Sequence, residues 1–504
     1  MENNLEALKE RLGEVYDLRR AAGLLYWDQA THMPSGGATA RGRQTATLQR
    51  IAHEKFTAPA LGELLEDLGH YEAELPYDSD EAALIRVTRR EYERQARVPA
   101  DFVAQLSKHS SDSYAAWVQA RSENDFESIR PYLQKTLDLS RQYATFFPES
   151  EHPADPLIDA ADHGMTAGSV REVFSELRQR LVPLVEEISG QAVADASCLR
   201  GAYDENAQLA FAEEVVRRFG YDFERGRHDL TTHPFAIRIA SGDVRITTRI
   251  KENDLQNPLF STLHESGHGM YEQGVDARLD NTPLGRGTSM AVHESQSRLW
   301  ENIVGRSHGF WEFFYPRLQK RFPEQLGSVP LQEFHRAINS VRPSLIRTDA
   351  DEVTYNLHVV LRFDFELELL EGRMEVEDLP EAWRERMKAD LGVLPPNDRE
   401  GVLQDSHWYN GLIGGRFQGY ALGNILSAQF YAAAIEAHPE IPAEIRDGEF
   451  GTLHDWLSRN IYQYGSKYTP EGIIESATGA SMSTSPYMDY LESKYGKLYS
   501  IEAH

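Results

Sequence analysis

Two histidines four positions apart, with an acid beside the first, are the residues of this sequence best suited to binding a metal ion. They stand in the run His264-Glu265-Ser266-Gly267-His268. On a helix, residues four apart lie on one face, so both imidazoles can bind the same ion. Zinc accepts such nitrogen ligands at about 2 Å in tetrahedral geometry. Glu265 points away from that face and can take a proton from a water bound to the metal, so the run predicts a hydrolytic metal centre with Glu265 as its base.

A catalytic zinc site also requires a third protein ligand and an open coordination position. The run His293-Glu294-Ser295-Gln296 supplies the best candidate, Glu294, which comes 26 residues after His268. That separation is long enough for one helix to end, a loop to form and a second helix to return. Glu294 is therefore the predicted third ligand and His293 is the alternative. A solvent-exposed helix acid is the ordinary interpretation of Glu294.

Helices must position these residues, because apolar side chains recur at helical spacing along most of the chain. The predicted helical segments begin near Leu5 and cover about 36–73, 79–96, 100–146, 167–190, 207–219, 255–274, 287–305, 330–340, 354–393, 416–437 and 484–498. Two shorter pieces alternate apolar and polar residues instead. Ala236–Ile239 and Val244–Thr248 flank a turn at Ser241-Gly242-Asp243, which predicts an antiparallel hairpin. A second hairpin is predicted around Val353-Thr354-Tyr355.

These elements predict a mainly α fold class, in which a large helical body contains a small antiparallel β-sheet. Neither a low-complexity linker nor an internal repeat interrupts the chain. The sequence therefore predicts one catalytic domain over residues 1–504. Within it, we expect an N-terminal helical part at about 1–230 and a metal-site part at about 231–504.

Composition and charge exclude several classes of partner. The 504 residues include 79 acidic and 52 basic side chains, a net charge of -27, and so acidic a surface repels nucleic-acid phosphates and anionic lipids. The single cysteine, Cys198, rules out an intrachain disulfide and is typical of a reducing compartment. The first residues lack the basic and apolar stretches of a secretory signal. The apolar segment Tyr420–Ala437 contains too many polar residues to be a membrane span. We therefore expect a cytoplasmic protein that binds neither nucleic acid nor membranes.

Six short motifs occur in an order that is similar to one known family. They are His233-Pro234-Phe235, Asp243-Val244-Arg245-Ile246-Thr247, His264-Glu265-Ser266-Gly267-His268, His293-Glu294-Ser295-Gln296, Ile346-Arg347-Thr348-Asp349-Ala350-Asp351 and Gly401-Val402-Leu403-Gln404-Asp405-Ser406-His407-Trp408. With these motifs the chain resembles the thermostable-carboxypeptidase family of metallocarboxypeptidases, which carboxypeptidase Taq typifies. Six motifs in order are far more specific than one, and they span about 233–408.

The resemblance implies a metal-dependent carboxypeptidase that removes single amino acids from peptides with a free C-terminus. It implies a neurolysin-like zinc-peptidase fold, in which a large helical body surrounds a deep groove, and commonly a homodimer. It assigns Glu294 as the third metal ligand and Glu265 as the catalytic carboxylate. One divalent metal per chain is expected. Zinc is the expected ion, although Co²⁺ and Mn²⁺ accept the same ligands.

One position departs from the pattern of many related His-His-Glu zinc peptidases. Those enzymes place an aspartate four residues after the ligand glutamate, where it steadies a metal-bound histidine, whereas this chain has Arg298. An acceptor for the imidazole N–H is still expected, because such an acceptor fixes the imidazole tautomer. The sequence does not identify it, and a backbone carbonyl is one candidate.

A carboxypeptidase must recognise a terminal carboxylate, and an arginine fork does so with paired charge-assisted hydrogen bonds. Arg347 is the first candidate, since it lies in a matched motif, and Arg245 is the second. For Arg347 the alternative interpretation is an ordinary ion pair with Asp349 or Asp351. For Arg245 it is an ion pair with Asp243. Arg245 could also orient a sheet edge to which substrate backbone adds as another strand.

Three further residues are candidates for stabilising the oxyanion of the transition state, a role that tyrosine hydroxyls and imidazolium groups fill. They are His407, Tyr409 and Tyr420. The first two stand in a stretch rich in hydrogen-bonding groups that ends at Gly411 and indicates a loop, and such loops line sites. His233 is a candidate for contact with substrate. Core packing is the alternative for His407, and a structural role is the alternative for His233.

Two other enzyme activities and one non-enzymatic function compete with this interpretation. A metallo-oligopeptidase or a dipeptidyl carboxypeptidase would use a similar helical groove and the same metal ligands. An inert metal-containing protein that binds peptides would keep the two histidines but would have no need of Glu265. The predicted function is therefore that of a metallocarboxypeptidase.

Overall fold

The fold was analysed in a computed structural model, which describes residues 2–501. The chain forms two units, each assembled from three separate segments. The first comprises Met1–Ala96, Asp195–Ile338 and Phe430–Ser481, and the second comprises Arg97–Ala194, Asn339–Gln429 and Met482–His504. Residue 230, near which the sequence predicts a division, lies inside the second segment of the first unit. The single catalytic domain stays a prediction.

Helices form most of the described chain, as the sequence predicts. They are α1 (Glu2–Thr31), α2 (Ala38–Phe56), α3 (Pro59–Asp67), α4 (Gly69–Glu74), α5 (Asp80–Arg97), α6 (Ala100–Glu123), α7 (Phe126–Ala144), α8 (Asp155–Ala161), α9 (Ala167–Ser189), α10 (Glu205–Phe219), α11 (Gln256–Gly274), α12 (Met290–Arg298), α13 (His308–Arg321), α14 (Pro323–Leu326), α15 (Leu331–Ile338), α16 (Tyr355–Glu371), α17 (Leu379–Leu391), α18 (Gln418–Ala437), α19 (Ile441–Asp447), α20 (Gly451–Asn460), α21 (Pro470–Thr478) and α22 (Ser485–Tyr499). Within residues 2–501, none of these helices has both the length and the apolar character needed to cross a membrane.

The small sheet has three strands. They are β1 (His228–Leu230), β2 (Ala236–Ala240) and β3 (Asp243–Thr248), and their order in the sheet is β1-β3-β2. β2 and β3 pair antiparallel, with Ile237 opposite Arg245, as the hairpin pattern predicts. β1 pairs parallel with β3, so the sheet is mixed and not purely antiparallel. The sequence does not reveal β1, because three residues are too few to show an alternating pattern.

The second predicted hairpin, around Val353-Thr354-Tyr355, is wrong. These residues form a turn and the first residue of α16. The Asp351 carboxylate accepts hydrogen bonds from the backbone N–H groups of Val353 and Thr354, each at 3.0 Å. These hydrogen bonds hold a turn that leads into α16. The β-branched residues therefore belong to a turn before a helix, which a short pattern does not distinguish from a strand.

In the first unit, α11 carries the metal run and packs against β3. Gly269 allows this contact, because a Cβ atom there would lie 2.8 Å from the Tyr221 ring and 2.9 Å from Ile246 Cγ2. Apolar side chains of α1, α2, α3 and α5 form a separate cluster in the same unit with the loop that follows α11. The metal run thus lies on a helix that is held by its neighbours on several sides.

In the second unit, α16 is the central helix, and nearly all of its side chains are buried. It packs against α7, α9 and α17. Phe363 meets Phe174 of α9 edge-on at 5.1 Å between ring centres. The same helix carries two charged side chains, Arg362 and Glu366, into the interior. Buried charges need specific partners, and those partners are functional candidates.

Candidate active site

The α12 helix crosses α11 closely enough to bring Glu294 beside the two histidines. Gly267 makes this approach possible, because an added Cβ atom would lie 2.5 Å from the Gln296 carbonyl oxygen and 2.6 Å from Ser297 Cα. Protein interiors are too densely packed to absorb such a contact without movement. The glycine inside the metal run therefore has a packing function: it lets the second helix come near the first.

Three potential ligand atoms converge between these helices. Glu294 Oε2 lies 3.8 Å from His264 Nε2 and 3.5 Å from His268 Nε2, and the ligand atoms all lie within 4.8 Å of one another. Two ligands that each bind a tetrahedral zinc ion at about 2.1 Å are about 3.4 Å apart. The spacing and the donor set, two imidazole nitrogens and one carboxylate oxygen, therefore fit a divalent cation of this kind.

Glu301 fixes the orientation of His264. Glu301 Oε2 lies 2.9 Å from His264 Nδ1, so the imidazole donates its Nδ1–H to the carboxylate and keeps the lone pair on Nε2. Glu301 lies in a π-helical turn, Leu299–Val304, that continues α12. Such turns are rare and occur frequently at functional sites. This carboxylate is the imidazole acceptor that the sequence does not identify.

His293 orients His268 in a corresponding way. His293 Nδ1 lies 2.6 Å from His268 Nδ1, and His293 Nε2 lies 2.8 Å from Glu272 Oε1. An ionised carboxylate only accepts, so His293 donates through Nε2 and accepts through Nδ1. His268 therefore donates its Nδ1–H to His293 and keeps the lone pair on Nε2, which faces Glu294. His293, the alternative ligand, lies behind His268 and not in the ligand group.

The protonation states of these side chains suit metal binding. Burial alone would raise the pKa of Glu294, but Arg298 and the two histidines lower it well below its usual range. Burial lowers the pKa of His268 to about 4. For His264, burial is outweighed by Glu294 and Glu301, which raise its pKa. A cation would repel the proton of His264, and an ionised carboxylate with neutral imidazoles is the form that coordinates metals.

Glu265 is buried beside the ligand group. Burial, together with the charges of Glu294 and Glu301, raises the pKa of Glu265 to about 7. That value belongs to the site without a cation, whose positive charge would lower it. A carboxyl group with a pKa near the working pH can both accept and return a proton. Burial therefore counteracts the effect of a cation and keeps the pKa of Glu265 above that of an exposed glutamate beside the same charge, which suits a general base.

A second group of predicted residues comes together in the second unit around Arg347. Asp405 Oδ1 lies 3.2 Å from Arg347 Nε and 2.8 Å from Nη2, and the Tyr355 hydroxyl oxygen lies 2.9 Å from Nη1. These contacts use three of the five guanidinium N–H groups and leave one on each Nη nitrogen, a pair that can bind a carboxylate. The ion-pair partner of Arg347 is thus Asp405, and not Asp349 or Asp351 as in the alternative interpretation.

Arg362 gives this group an excess of positive charge. It is fully buried and donates from Nε to Asp405 Oδ2 at 2.5 Å and from Nη2 to Gln404 Oε1 at 2.7 Å. Gln404 Oε1 also accepts from the backbone N–H of Arg347 at 2.9 Å. Two guanidinium groups share one carboxylate, so the group is locally positive in a protein whose net charge is -27. An anionic ligand would compensate that buried charge.

His407 and Tyr420 flank Arg347. The Arg347 guanidinium carbon lies 5.3 Å from the Tyr420 ring centre, and His407 Nε2 lies 3.5 Å from the Tyr420 hydroxyl oxygen. Burial, with a contribution from the Arg347 charge, lowers the pKa of His407 to about 4. The imidazole is therefore neutral near pH 7, where one ring nitrogen still carries an N–H that can donate to an oxygen atom.

The remaining candidates have other surroundings. Tyr409 is buried with its ring stacked on Trp117, at 6.1 Å between ring centres, which is a packing position. Arg245 donates from Nε and Nη2 to the two oxygens of Asp243, both at 2.7 Å, so its fork is engaged by a neighbour on its own strand. His233 is exposed in the loop between β1 and β2. Arg245 and His233 belong to the same unit as His264, His268 and Glu294 but are not among the converging side chains.

Four residues of the two groups carry no functional assignment from the sequence alone. They are Glu272, Glu301, Arg362 and Asp405. Helical spacing is a signal for the first two, because Glu272 stands four positions after His268 and Glu301 seven positions after Glu294. Asp405 lies in a matched motif. Arg362 has no such signal, since its partners are distant in sequence.

Comparison with known proteins gives likenesses over nearly the whole chain. The family model described as "Carboxypeptidase Taq (M32) metallopeptidase" matches residues 7–495. Thermostable carboxypeptidase 1 of Thermus thermophilus is 42% identical over 496 residues, which cover 96% of this chain and 97% of that protein. Carboxypeptidase 1 of Bacillus subtilis is 35% identical over 491 residues, which cover 97% of each.

Solved structures give the same result for the fold. The M32 carboxypeptidase from Deinococcus radiodurans R1 superposes with a TM-score of 0.96 at 48% identity, and the match covers 99% of this chain and 100% of that one. The Pyrococcus furiosus carboxypeptidase superposes with a TM-score of 0.94 at 32% identity, covering 98% and 99%. Both the helical architecture and the length of this chain are therefore similar to those of solved carboxypeptidases.

Proposed function

Because this chain belongs to the carboxypeptidase Taq (M32) family of metallopeptidases and is a metallocarboxypeptidase, we propose that it hydrolyses the C-terminal peptide bond of peptides and releases single amino acids. The observation that carries the proposal is the convergence of His264, His268 and Glu294 beside the buried Glu265. The substrates are peptides with a free C-terminus.

The three converging side chains are the proposed ligands of one divalent metal per chain. Their distances and the tautomers set by Glu301 and His293 support this assignment. Zinc is the proposed metal, because it takes two histidines and a carboxylate in catalytic sites, although Co²⁺ and Mn²⁺ accept the same donors. When bound, a divalent cation supplies a positive charge that polarises the scissile carbonyl and eases the deprotonation of water.

Glu265 is the proposed general base. Its carboxylate takes a proton from the attacking water while the water oxygen forms a bond to the carbonyl carbon of the scissile peptide. The same carboxyl group then gives that proton to the leaving nitrogen as the carbon–nitrogen bond breaks. Glu265 therefore returns to its starting form, and the products are a shortened peptide and one amino acid. This double use of one carboxyl group requires a pKa not far from the working pH.

Arg347 is the proposed anchor for the terminal carboxylate. Its two remaining N–H groups and the excess positive charge around it support this role. His407 and Tyr420, which flank it, are proposed donors to substrate oxygen atoms. Three other predicted site residues have positions that lend the mechanism no support: Tyr409, Arg245 and His233.

One peptide prepared with a free and with an amidated C-terminus tests the exopeptidase activity. We expect cleavage of the free acid alone, with single amino acids as the first products detected by mass spectrometry. Equal cleavage of both peptides would favour a metallo-oligopeptidase, and release of two-residue products would favour a dipeptidyl carboxypeptidase.

Arg347→Met tests the carboxylate anchor directly. Hydrogen bonds to charged groups contribute about 1.5–3 kcal/mol each, so losing the fork should raise KM for free-acid peptides by at least about tenfold. Arg245→Met is the counter-test, since it removes the second candidate. A larger rise in KM from Arg245→Met than from Arg347→Met would transfer the anchor to Arg245.

The inert peptide-binding alternative is tested by metal removal. We expect a chelator to abolish peptidase activity and added Zn²⁺ to restore it. Peptide binding that persists with no hydrolysis in the zinc-loaded protein would support the inert alternative.

The compartment and the assembly are further proposals. The single thiol, Cys198, supports a reducing compartment such as the cytoplasm. The family resemblance supports a homodimer, and light scattering coupled to size exclusion measures its mass. The net charge of -27 supports the absence of nucleic-acid and membrane partners.

A further inference from the structure

Arg298 joins two carboxylates of the metal centre. It lies one helical turn after Glu294, and its Nε donates to Glu294 Oε1 at 2.7 Å. Its Nη1 lies 3.2 Å from Glu301 Oε2, the same oxygen that accepts from His264 Nδ1. One guanidinium therefore links the proposed ligand carboxylate to the carboxylate that orients a ligand imidazole.

The two oxygens of Glu294 have different neighbours. Oε2 faces His264 Nε2 and His268 Nε2 at 3.8 and 3.5 Å, whereas Oε1 is held by Arg298. A carboxylate can bind a cation through one oxygen or through both. An oxygen that accepts a short charge-assisted hydrogen bond has less lone-pair density to offer a cation. The contact with Arg298 thus leaves Oε2 as the oxygen that faces both imidazoles.

The shape of the guanidinium matters as much as its charge. A planar fork can reach two carboxylates at fixed angles, while a lysine ammonium is a single point of charge. Glu301 has a second cation nearby, since Arg306 Nη2 lies 3.6 Å from its Oε1. Removing Arg298 should therefore affect Glu294 more than Glu301.

We propose that Arg298 is a positioning residue that restricts Glu294 to ligation through one oxygen and fixes the position of its carboxylate relative to that of Glu301. The inference rests on the proposed function, because it takes Glu294 as a metal ligand. One-oxygen ligation keeps the coordination number low and so preserves the open position that a catalytic metal requires. Many related enzymes have an aspartate at this position, and it steadies a metal-bound histidine. In this chain Arg298 contacts the proposed ligand carboxylate of Glu294 instead.

Two variants of Arg298 test the inference with Co²⁺ as the probe. Arg298→Met removes both charge and fork, and Arg298→Lys keeps the charge but loses the fork. Affinity is measured by competition with a chelator, and coordination is read from the visible absorption of the Co²⁺-loaded protein. We expect both variants to bind Co²⁺ about 10- to 100-fold more weakly. We also expect weaker visible bands, because a second Glu294 oxygen would raise the coordination number.

Arg386→Met is the matched control. Arg386 makes the same kind of pair, four residues apart on a helix, with the buried Asp390 at 2.5 Å, but this pair belongs to the second unit and to no metal group. We expect it to cost stability without changing Co²⁺ affinity or absorption. A change equal to that of Arg298→Met would show a general effect of losing such a pair and would overturn the inference.

The remaining outcomes are also decisive. Parent-like Co²⁺ affinity and absorption in a folded Arg298→Met protein would falsify the inference. If Arg298→Lys binds Co²⁺ like the parent, the positive charge alone is sufficient and the role of the guanidinium fork is overturned. This variant carries the test if Arg298→Met does not fold.

Glu294→Ala separates the two proposals. If Glu294→Ala keeps parent affinity, the ligand assignment fails; if it loses Co²⁺ while Arg298→Met keeps it, only the role of Arg298 fails.

Discussion

Glu265 and Glu294 are buried carboxyl groups of one site, and their surroundings have opposite effects on them. Burial dominates at Glu265 and raises its pKa to about 7. At Glu294, Arg298 and the histidines outweigh burial and lower the pKa. One environment therefore favours an ionised carboxylate that can serve as a ligand, and the other favours a carboxyl group that can accept and return a proton.

Glu265→Gln should separate proton transfer from metal binding. The amide cannot accept the proton, so we expect turnover to fall by about 10²- to 10⁴-fold. Metal content should match that of the parent, because Glu265 is not one of the converging ligands. Peptide turnover and metal analysis on the same preparation check both expectations, and near-parent turnover would refute the base assignment.

Glu366 is a second buried acid with a raised pKa, and it lies outside both candidate groups. Its Oε1 accepts a hydrogen bond from Trp408 Nε1 at 2.8 Å. Burial raises its pKa from the ordinary 4.5 to about 7. The ordinary pKa of 4.5 applies to the unfolded chain, so at a pH between about 4.5 and about 7 the folded protein binds the proton more tightly. The free energy of unfolding therefore falls as the pH rises through this range.

Glu366→Gln should remove that dependence, because the amide does not ionise. As the pH rises across this range, the free energy of unfolding of the parent should fall by up to about 3 kcal/mol. That of the variant should not show this fall. Urea unfolding at a series of pH values measures it. Glu385→Gln, an exposed position on α17, is the control. A constant difference between parent and Glu366→Gln from pH 4 to 8 would contradict the assignment.

At the scale of the element, the metal centre depends on how closely α11 and α12 cross. Gly267 has no side chain where a Cβ atom would lie 2.5 Å from the Gln296 carbonyl oxygen. Beyond the crossing, the π-helical turn Leu299–Val304 carries Glu301 to His264. The two helices thus carry the proposed ligands, and the irregular turn supplies an acceptor for the His264 imidazole.

Gly267→Ala should force these helices apart. Overpacking a buried contact costs about 1–3 kcal/mol, and the movement of Glu294 should weaken metal binding as well. Urea unfolding and chelator competition measure the two effects. Gly13→Ala is the control, since a Cβ atom at Gly13 on α1 meets nothing within 4 Å. There the change should stabilise the helix by up to about 1 kcal/mol. Parent-like stability and metal affinity in Gly267→Ala would show that the crossing tolerates a side chain.

At the scale of the whole molecule, charge is the dominant feature. A net charge of -27 destabilises the folded state through self-repulsion. The screening length falls from about 30 Å at 0.01 M salt to about 8 Å at 0.15 M, so we expect Tm to rise over that range at pH 8. Near the sequence pI of about 5.1 the net charge vanishes, so Tm should no longer rise with salt concentration. A salt effect of equal size at both pH values would refute self-repulsion as its cause.

The sequence predicts the helical architecture because a helix produces a pattern of apolar residues that repeats locally along the chain. Apolar residues at helical spacing predict most helices, and alternation predicts the pairing of β2 with β3. The pattern does not predict β1 or six of the helices, α8, α13, α14, α19, α20 and α21, and it predicts a hairpin where α16 begins. In such pieces the stabilising contacts come from other parts of the chain.

By itself, the sequence determined the run His264-Glu265-Ser266-Gly267-His268 and the family, since these depend on spacing and order along the chain. Only the tertiary structure brought Glu294, and not His293, together with the two histidines in one group that could hold a metal ion. It alone identified Glu301 as the imidazole acceptor and Asp405 as the partner of Arg347. Those contacts depend on where one helix or loop lies against another, and that packing is set by the summed burial of many distant residues, which no local pattern encodes.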